Sequence, residues 1–241
     1  VLHKDLEVDV DVQEGVSVYE YSRDAGDFHA ENIRIGGGEI FFDFVHPEGV
    51  IKDIQLGVPV SINIDNGIAA MALAMLSGVG EEELREGMRT FAGVDRRFDL
   101  KIKNEKMVFL SDYAHHQNEI EQSVKSVREL YQDKKIAAIF QPHLYTRTRD
   151  FYKEFASALS LLDQVFLCDI YPARELPIPG VTSKLIYDNL RPGIEKRLIS
   201  KEEILDVIQQ KDFDVLMSLG AGDIENYVPQ IANVLQEKFC K

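Results

Sequence analysis

The stretch of sequence that decides the fold is Ile136–Asp150, which reads IAAIFQPHLYTRTRD. Its apolar beginning predicts a buried strand, and the spacing of the apolar residues beyond it predicts a helix. His143 lies between the two, and Arg147 and Arg149 follow at the predicted start of the helix. The free backbone N–H groups of a helix start favour a negatively charged ligand. This junction therefore predicts an anion-binding site.

A second junction of the same kind lies earlier in the chain. The apolar residues Val108–Leu110 are followed by Ser111–His116, which reads SDYAHH. Parallel strands end at one edge of a sheet, and open α/β folds bind their ligands at that edge. We therefore expect Asp112 and His115 to lie on the same sheet edge as Arg147.

The rest of this half of the chain continues the alternation. Short apolar runs predict strands at Met107–Leu110, Ile136–Phe140, Val165–Asp169, Arg197–Ser200 and Val215–Leu219. Helical patterns separate these runs, and Ser200 with Glu203 forms the S-x-x-E pattern of a capping box at a helix start. The alternation predicts an α/β fold with a mostly parallel sheet and right-handed crossovers.

The first part of the chain has a different pattern, which is antiparallel in character. Alternating apolar and polar residues predict strands at Leu6–Val12, Val16–Tyr21, Phe28–Ile35 and Glu39–Val45. Gly36–Gly38, between the last two, predicts a hairpin. Apolar residues at helical spacing then predict a helix that ends near Gly78 and another over Glu81–Phe91. The change of pattern at Gly93–Arg97 predicts a domain boundary.

The composition is that of a globular protein with a strong negative charge. Of the 241 residues, 45% are apolar, and 41 acidic against 27 basic residues give a net charge of −14. This charge repels phosphodiester backbones, so nucleic acid is not expected as a partner. The sequence contains no run of about 18 apolar residues, so no membrane span is predicted. Cys168 and Cys240 do not form a disulfide pattern, so we expect a cytoplasmic protein. The first residue is Val1 rather than Met, which indicates a piece of a longer chain.

Arg147 is the leading candidate for binding an anion. Its guanidinium group can bind a carboxylate or a phosphate through two parallel hydrogen bonds, a geometry that lysine lacks. The alternative is that Arg147 and Arg149 are solvated or pair with nearby acids such as Asp150 and Glu154. The position at the end of a strand favours the first interpretation.

The adjacent His115 and His116 raise the question of a metal site. Neighbouring residues of an extended chain point to opposite faces, and zinc usually needs three or four ligands. We therefore expect no metal here, with one histidine facing a ligand and the other bracing the loop. Asp112 is placed either to accept hydrogen bonds from a ribose or a cation, or to cap the turn.

The usual phosphate-binding signatures are missing from the sequence. Ser218–Asp223 reads SLGAGD, which contains only G-x-G and is equally well explained as a tight turn. The chain has no G-x-x-x-x-G-K-[ST] phosphate loop, and no G-x-S-x-G or H-E-x-x-H hydrolase motif. ATP phosphates are therefore not expected to bind this chain through a phosphate loop.

Five segments, taken together and in order, resemble the motifs of the Mur ligase family. They are NIDNGIAA at Asn63–Ala70, RRF at Arg96–Phe98, SDYAHH at Ser111–His116, FQPHLYTRTRD at Phe140–Asp150 and GAGDI at Gly220–Ile224. The resemblance covers essentially the whole chain, and five motifs in sequence are far more specific than one. Within the family, the motifs are most similar to those of members that join L-alanine to UDP-N-acetylmuramate.

The resemblance implies a domain organisation. Mur ligases have an N-terminal domain for the UDP-sugar, a central ATPase domain and a C-terminal Rossmann-like domain that brings the amino acid. Residues 1–95 would be the strand-rich and helical C-terminal part of the central ATP-binding domain, and residues 96–241 the whole third domain. The phosphate loop and the main phosphate and metal ligands would be absent from this chain. The two parts would close about Gly93–Arg97.

The resemblance also implies an activity in peptidoglycan biosynthesis. Such a ligase uses ATP and Mg²⁺ to phosphorylate the muramate carboxylate, and the amine of L-alanine then displaces the phosphate to form an amide. The partners would be UDP-N-acetylmuramate, L-alanine and ATP, and this chain alone would be inactive. Positioning and charge stabilisation would do most of the catalysis. No residue is assigned as the general base.

Six residues receive roles from the resemblance. The substrate-binding residues would be Arg147, His115 and His143, and the nucleotide-binding residues would be Asn63, Arg97 and Asp112. Arg147 would clamp the carboxylate of L-alanine, Asn63 would hydrogen-bond adenine, and Arg97 would reach the ribose or the phosphates. The chain departs from the family pattern at Ile62, Leu144, Gln117 and Glu225. Leu144 matters most, because many relatives have a second arginine there.

Two other interpretations stay open. The first is the related recycling ligase, which attaches a murein peptide to UDP-N-acetylmuramate and needs a wider site around Arg147. The second is a non-catalytic Rossmann-like module that binds a nucleotide or a partner protein, in which Arg147 and His115 are incidental.

Overall fold

The computed structural model describes residues 1–8, 10–210 and 212–239. The chain divides into two compact units, Val1–Gly93 and Val94–Lys241. The first unit contains a two-stranded and a three-stranded sheet, and the second contains a six-stranded sheet.

The first unit is built around an antiparallel sheet of three strands. The strands of the unit are β1 (Leu2–His3), β2 (Glu20–Tyr21), β3 (His29–Gly36), β4 (Glu39–His46) and β5 (Gly49–Gln55). β3 and β4 pair antiparallel, and Gly37 and Gly38 turn the chain between them with positive φ angles of 61° and 79°. The predicted hairpin is confirmed.

Two predicted strands of the first unit are wrong. None of the described residues of Leu6–Val12 lies in a strand, and of Val16–Tyr21 only the last two residues do. Leu6 and Val8 are both 54% exposed and Val16 is 59% exposed. Alternation indicates a strand only when the apolar side chains are buried on one face of a sheet. Here those side chains are exposed, so no such face exists.

Two helices complete the first unit. They are α1 (Ile62–Leu76) and α2 (Glu81–Thr90), close to the predicted positions. Ile64, Ile68 and Met71 are almost fully buried on one side of α1, and Leu84 is the buried residue of α2. Helical spacing of apolar residues was therefore a reliable signal in this unit.

The second unit is an α/β layer structure, as predicted. Its strands are β6 (Asp99–Lys103), β7 (Val108–Asp112), β8 (Ile136–Phe140), β9 (Gln164–Leu167), β10 (Glu195–Leu198) and β11 (Val215–Leu219). The sheet order is β10-β9-β8-β11-β7-β6, and every pairing is parallel except that of the edge strand β6 with β7. The sequence pattern did not predict β6.

Helices pack against this sheet, and the core lies between the helices and the strands. The helices are α3 (Gln117–Leu130), α4 (Tyr145–Leu159), α5 (Lys184–Asn189), α6 (Ile204–Gln210) and α7 (Val228–Phe239). Phe109, Ile139, Phe166 and Leu216 of the central strands are fully buried. The capping box of Ser200 and Glu203 is confirmed, at a short 3₁₀ turn just before α6.

Cys168 is buried beside the end of β9. Burial raises the pKa of its thiol to about 12, which keeps it protonated and unreactive. Cys240 lies outside the described residues. None of the helices in the described part of the chain combines the length and apolar character that a membrane span requires.

Candidate functional site

The register of the sheet brings three strand ends to one level. Leu219 of β11 pairs with Asp112 of β7 on one side and with Phe140 of β8 on the other. Backbone hydrogen bonds continue just beyond the strands, from Gly220 N to Asp112 O at 3.1 Å and from Gln141 N to Leu219 O at 3.0 Å. The loops that follow these strands therefore leave the sheet side by side.

The three predicted substrate-binding residues lie together at this edge. Nη1 of Arg147 donates to the backbone carbonyl of His115 at 3.4 Å and lies 3.5 Å from Nδ1 of His143. The rings of His115 and His143 meet edge to face, with centroids 5.5 Å apart. One guanidinium group and two imidazoles thus form a cluster that joins the β7–α3 and β8–α4 connections.

The local backbone directs Arg147 towards this cluster. Leu144, just before α4, has a φ of +73°, a conformation that is uncommon outside glycine. Its N–H donates to Tyr171 O at 2.9 Å, and its carbonyl accepts from both N and Oγ1 of Thr148. These bonds hold Leu144 in the positive-φ conformation, and α4 begins immediately afterwards.

The two arginines of the α4 start behave differently. Arg149 forms an ion pair with Asp150, with Nε at 2.7 Å from Oδ1, as the alternative interpretation expected. Arg147 is half-buried, and within the described part of the chain no carboxylate forms an ion pair with it. A half-buried guanidinium group beside two imidazoles is suited to binding a carboxylate that comes from outside the chain.

The charge state of His143 favours this use. Burial lowers the pKa of His143, and the nearby positive charge of Arg147 lowers it further. A neutral imidazole can accept a hydrogen bond from Arg147 through Nδ1 without adding a second positive charge. The positive charge of the Arg147–His143 pair is therefore carried by Arg147.

The side chains of His115 and His116 make separate contacts. His115 contacts Tyr113, whose carbonyl lies 3.0 Å from Nδ1, whereas the ring of His116 packs against Phe151. A carboxylate oxygen of Glu119 accepts from the backbone N–H groups of both histidines at 3.1 Å, and His116 caps α3. Burial alone would raise the pKa of Glu119, but these two donors outweigh it and lower the pKa.

Both carboxylate oxygens of Asp112 accept hydrogen bonds from neighbouring residues of the chain. Oδ1 accepts from Ala114 N at 3.1 Å, and Oδ2 accepts from the hydroxyl of Ser123 at 2.7 Å. Burial raises the pKa of Asp112 more than these hydrogen bonds lower it. The geometry favours the turn-capping interpretation, and a nucleotide-binding role for Asp112 stays a prediction.

The glycine-rich loop after β11 packs against a buried glutamine. Nε2 of Gln141 donates to Asp223 at 2.7 Å, Oε1 accepts from Ile224 N at 3.0 Å, and Lys201 pairs with Asp223. A Cβ atom at Gly222 would lie 2.3 Å from Oε1 of Gln141. Close packing therefore accounts for Gly222, in agreement with the turn interpretation of the SLGAGD segment.

The remaining two predicted residues lie elsewhere. Asn63 belongs to α1 of the first unit, where Nδ2 donates to Val58 O at 3.1 Å, and it borders a largely apolar cavity of 380 Å³. Arg97 is exposed in the second unit, and the described residues contain no ion-pair partner for it. Its neighbour Arg96 lies over the ring of Tyr113 and pairs with Glu225 at 2.8 Å.

Sequence patterns missed two residues that complete the site, Tyr171 and Glu175. Tyr171 stacks on His143 with ring centroids 5.7 Å apart. The carboxylate of Glu175 accepts a hydrogen bond from Thr146 N at the start of α4. Both lie in an irregular loop after β9, which has no periodic signal. Within residues 1–8, 10–210 and 212–239, no group of three or more His, Cys, Asp and Glu side chains is placed to hold a metal ion.

A family comparison decides the identity of the fold. The domain described as Mur ligase, glutamate ligase domain, matches residues 96–222, more than half of the chain. The chain belongs to the Mur ligase family. The sequence resemblance and the predicted α/β fold with a mostly parallel sheet are both confirmed.

This Mur ligase chain has highly similar relatives. It is 68% identical over 238 residues to a UDP-N-acetylmuramate–L-alanine ligase of Phocaeicola vulgatus, covering 99% of this chain and 52% of the relative. It is 51% identical over 242 residues to the ligase of the same name from Parabacteroides distasonis, covering 100% of this chain and 52% of the relative. The chain thus spans about half the length of the curated relatives it matches.

Solved structures show the same architecture. The crystal structure of a UDP-N-acetylmuramate–alanine ligase from Thermotoga maritima matches with a TM-score of 0.74 and 25% identity, covering 91% of this chain and 48% of that one. A murein peptide ligase from Psychrobacter arcticus matches with a TM-score of 0.53 and 19% identity, covering 89% and 45%. The second match supports the fold alone.

Proposed function

We propose that this Mur ligase chain is part of an ATP-dependent ligase that joins L-alanine to UDP-N-acetylmuramate in peptidoglycan biosynthesis. The observation that carries the proposal is the half-buried Arg147, which lies beside His115 and His143 and has no acidic partner in the described part of the chain. The 68% identity to a ligase of that name supports the same choice of substrates.

Arg147 would bind the carboxylate of L-alanine. Two parallel hydrogen bonds from the guanidinium group fix the orientation of a carboxylate, and so fix the direction of the amine on the neighbouring carbon. His143, which is neutral, and His115 would line the space next to it. These residues would hold the amino acid in position. ATP would convert the carboxylate of the muramate, not that of L-alanine, into an acyl phosphate.

The nucleotide would be held largely by residues outside this chain. The sequence contains no phosphate loop, and the described residues form no metal-binding cluster, so no step of phosphate transfer is assigned to them. We propose residues 1–95 as the C-terminal part of the central ATP-binding domain, with Asn63 facing adenine. In residues 96–241, the exposed Arg97 would reach the ribose or the phosphates, and Asp112 would support the nucleotide indirectly through its turn.

The location of the protein follows from the proposed substrates. ATP and a UDP-sugar are supplied in the cytoplasm, so we place the ligase there, with its amide product feeding the synthesis of the cell wall. L-Alanine, UDP-N-acetylmuramate and ATP with Mg²⁺ would be its partners.

The proposal is tested by phosphate release from ATP with magnesium and UDP-N-acetylmuramate. The full-length protein that carries this chain should release phosphate when L-alanine is added and much less when a murein tripeptide replaces it. The 241-residue chain by itself should release none above blank. A preference for the tripeptide would favour the recycling ligase, and an inactive full-length protein would favour a non-catalytic module.

A further inference from the structure

Glu175 places a carboxylate against Thr146, the residue next to Arg147 of the proposed amino-acid site. Oε2 of Glu175 accepts from Thr146 N at 2.9 Å, and Oε1 accepts from the Thr146 hydroxyl at 2.5 Å. Thr146 immediately precedes Arg147 in the first turn of α4. The chain thus fills the amino end of this helix with its own negative charge, at the position where the sequence predicted an external anion.

The loop that carries Glu175 is held by contacts at Tyr171 and at the backbone of Glu175 itself. Tyr171 N donates to Pro142 O at 2.8 Å, and the Tyr171 ring stacks on His143 at an interplanar angle of 26°. Glu175 N donates to Pro172 O at 2.9 Å, which closes a turn with Ala173 at a φ of +52°. The loop therefore holds the carboxylate against the start of α4.

The Glu175 carboxylate is ionised at neutral pH. The hydrogen bond from the Thr146 hydroxyl lowers the pKa of Glu175, and backbone N–H groups of the same helix start lower it further. Its charge acts on neighbouring groups. It opposes the lowering of the His143 pKa, and it adds a smaller contribution to that of Asp150 in raising the pKa of Arg149. A fixed negative charge therefore acts on the same cluster that contains Arg147.

We propose that Glu175 is a specificity-determining residue of the amino-acid site, which excludes amino acids that carry a second carboxylate. This inference rests on the proposed function. An amino acid bound to Arg147 through its α-carboxylate would bring an acidic side chain close to Glu175, where like charges repel. The Thr146 donors that could receive a second carboxylate are already occupied. Alanine, with an uncharged side chain, meets no such repulsion.

The experiment compares L-alanine, L-serine and L-aspartate as substrates of the full-length ligase that carries this chain. Glu175→Gln removes the charge and keeps the shape, and Glu154→Gln, at an exposed position of α4, is the control. Loss of the repulsion should raise kcat/KM for L-aspartate relative to L-alanine by about tenfold in Glu175→Gln. The L-serine to L-alanine ratio, and both ratios in Glu154→Gln, should stay within about twofold of wild type.

Equilibrium binding of L-aspartate and L-alanine to the same proteins gives the discrimination ratio independently of turnover. Glu175→Ala should shift this ratio in the same direction as Glu175→Gln. An unchanged ratio in both variants would overturn the inference, and so would weaker L-alanine binding with an unchanged ratio, which would mean that Glu175 only supports the helix. A wild-type protein without L-alanine-dependent phosphate release would instead contradict the proposed function.

Discussion

Nη1 of Arg147 lies 3.4 Å from the backbone carbonyl oxygen of His115, although 32 positions separate the two residues in the chain. This contact joins the loop after β7 to the first turn of α4, and His143 completes the cluster from the end of β8. The parallel register of β7, β11 and β8 makes the contact possible, because it brings the strand ends to the same level.

The Arg147–His143 pair makes a prediction for the ionisation of the imidazole. Burial and the charge of Arg147 both lower the pKa of His143. Removing the charge in Arg147→Ala should therefore raise the His143 pKa towards its ordinary range, while Arg149→Ala, which removes an exposed guanidinium group paired with Asp150, should change it less. NMR titration of the imidazole nitrogens measures both shifts. A His143 pKa that is unaffected by Arg147→Ala would show that the two groups do not interact.

Close packing around Gly222 makes a prediction for stability. A Cβ atom there would meet Oε1 of Gln141 at 2.3 Å and the ring of Tyr171 at 2.7 Å, so Gly222→Ala should destabilise the fold by about 2 kcal/mol. Gly87→Ala is the matched control, because Gly87 lies within α2 and a Cβ atom there meets nothing within 4 Å. That change should stabilise the protein by about 0.5–1 kcal/mol. Urea unfolding compares the two, and equal effects would contradict the packing argument.

The hydrogen bonds of Asp163 predict how the free energy of unfolding changes as the pH falls below neutral. Burial would raise the pKa of Asp163, but hydrogen bonds from Ile136 N and Arg128, both at 2.8 Å, outweigh it and lower the pKa. A lowered pKa in the folded state means that the ionised carboxylate stabilises the fold at neutral pH. This contribution is fully present above the unfolded-state pKa and is lost as the pH falls through the folded-state pKa.

Asp163→Asn should accordingly destabilise the protein at pH 7 and make less difference as the pH approaches 3. Asp188→Asn is the control, since Asp188 forms an exposed pair with Lys184 and should contribute little at either pH. Urea unfolding across this pH range provides the measurement. A loss of stability in Asp163→Asn that grows as the pH falls would have the wrong sign.

The sequence predicted the parts of the site that obey a topological rule. Arg147, His115 and His143 follow strands, and parallel strands end at one edge, so their convergence could be inferred before any distance was known. For Arg149 the alternative interpretation was the right one, because Asp150, its neighbour in the chain, is its acidic partner.

The remaining parts depend on contacts that no local pattern encodes. Glu175 and Tyr171 lie in an irregular loop, where a side chain can point in any direction until the tertiary structure fixes it. The alternation in Leu6–Val12 resembled a strand, but a periodic pattern does not show whether a neighbouring sheet exists to bury one face. The turn-capping of Asp112 was weighed only as an alternative, because its Ser123 partner lies on α3.

The central claim is that Arg147 binds the carboxylate of L-alanine, and it is tested most directly by L-alanine kinetics in the full-length ligase that carries this chain. Lysine keeps the charge but cannot form two parallel hydrogen bonds, so Arg147→Lys should raise the KM for L-alanine by about 10- to 100-fold with a smaller effect on kcat. Arg149→Lys, the matched change two positions away, should alter KM by less than about twofold. An L-alanine KM that is the same in Arg147→Lys as in the wild type would contradict the claim.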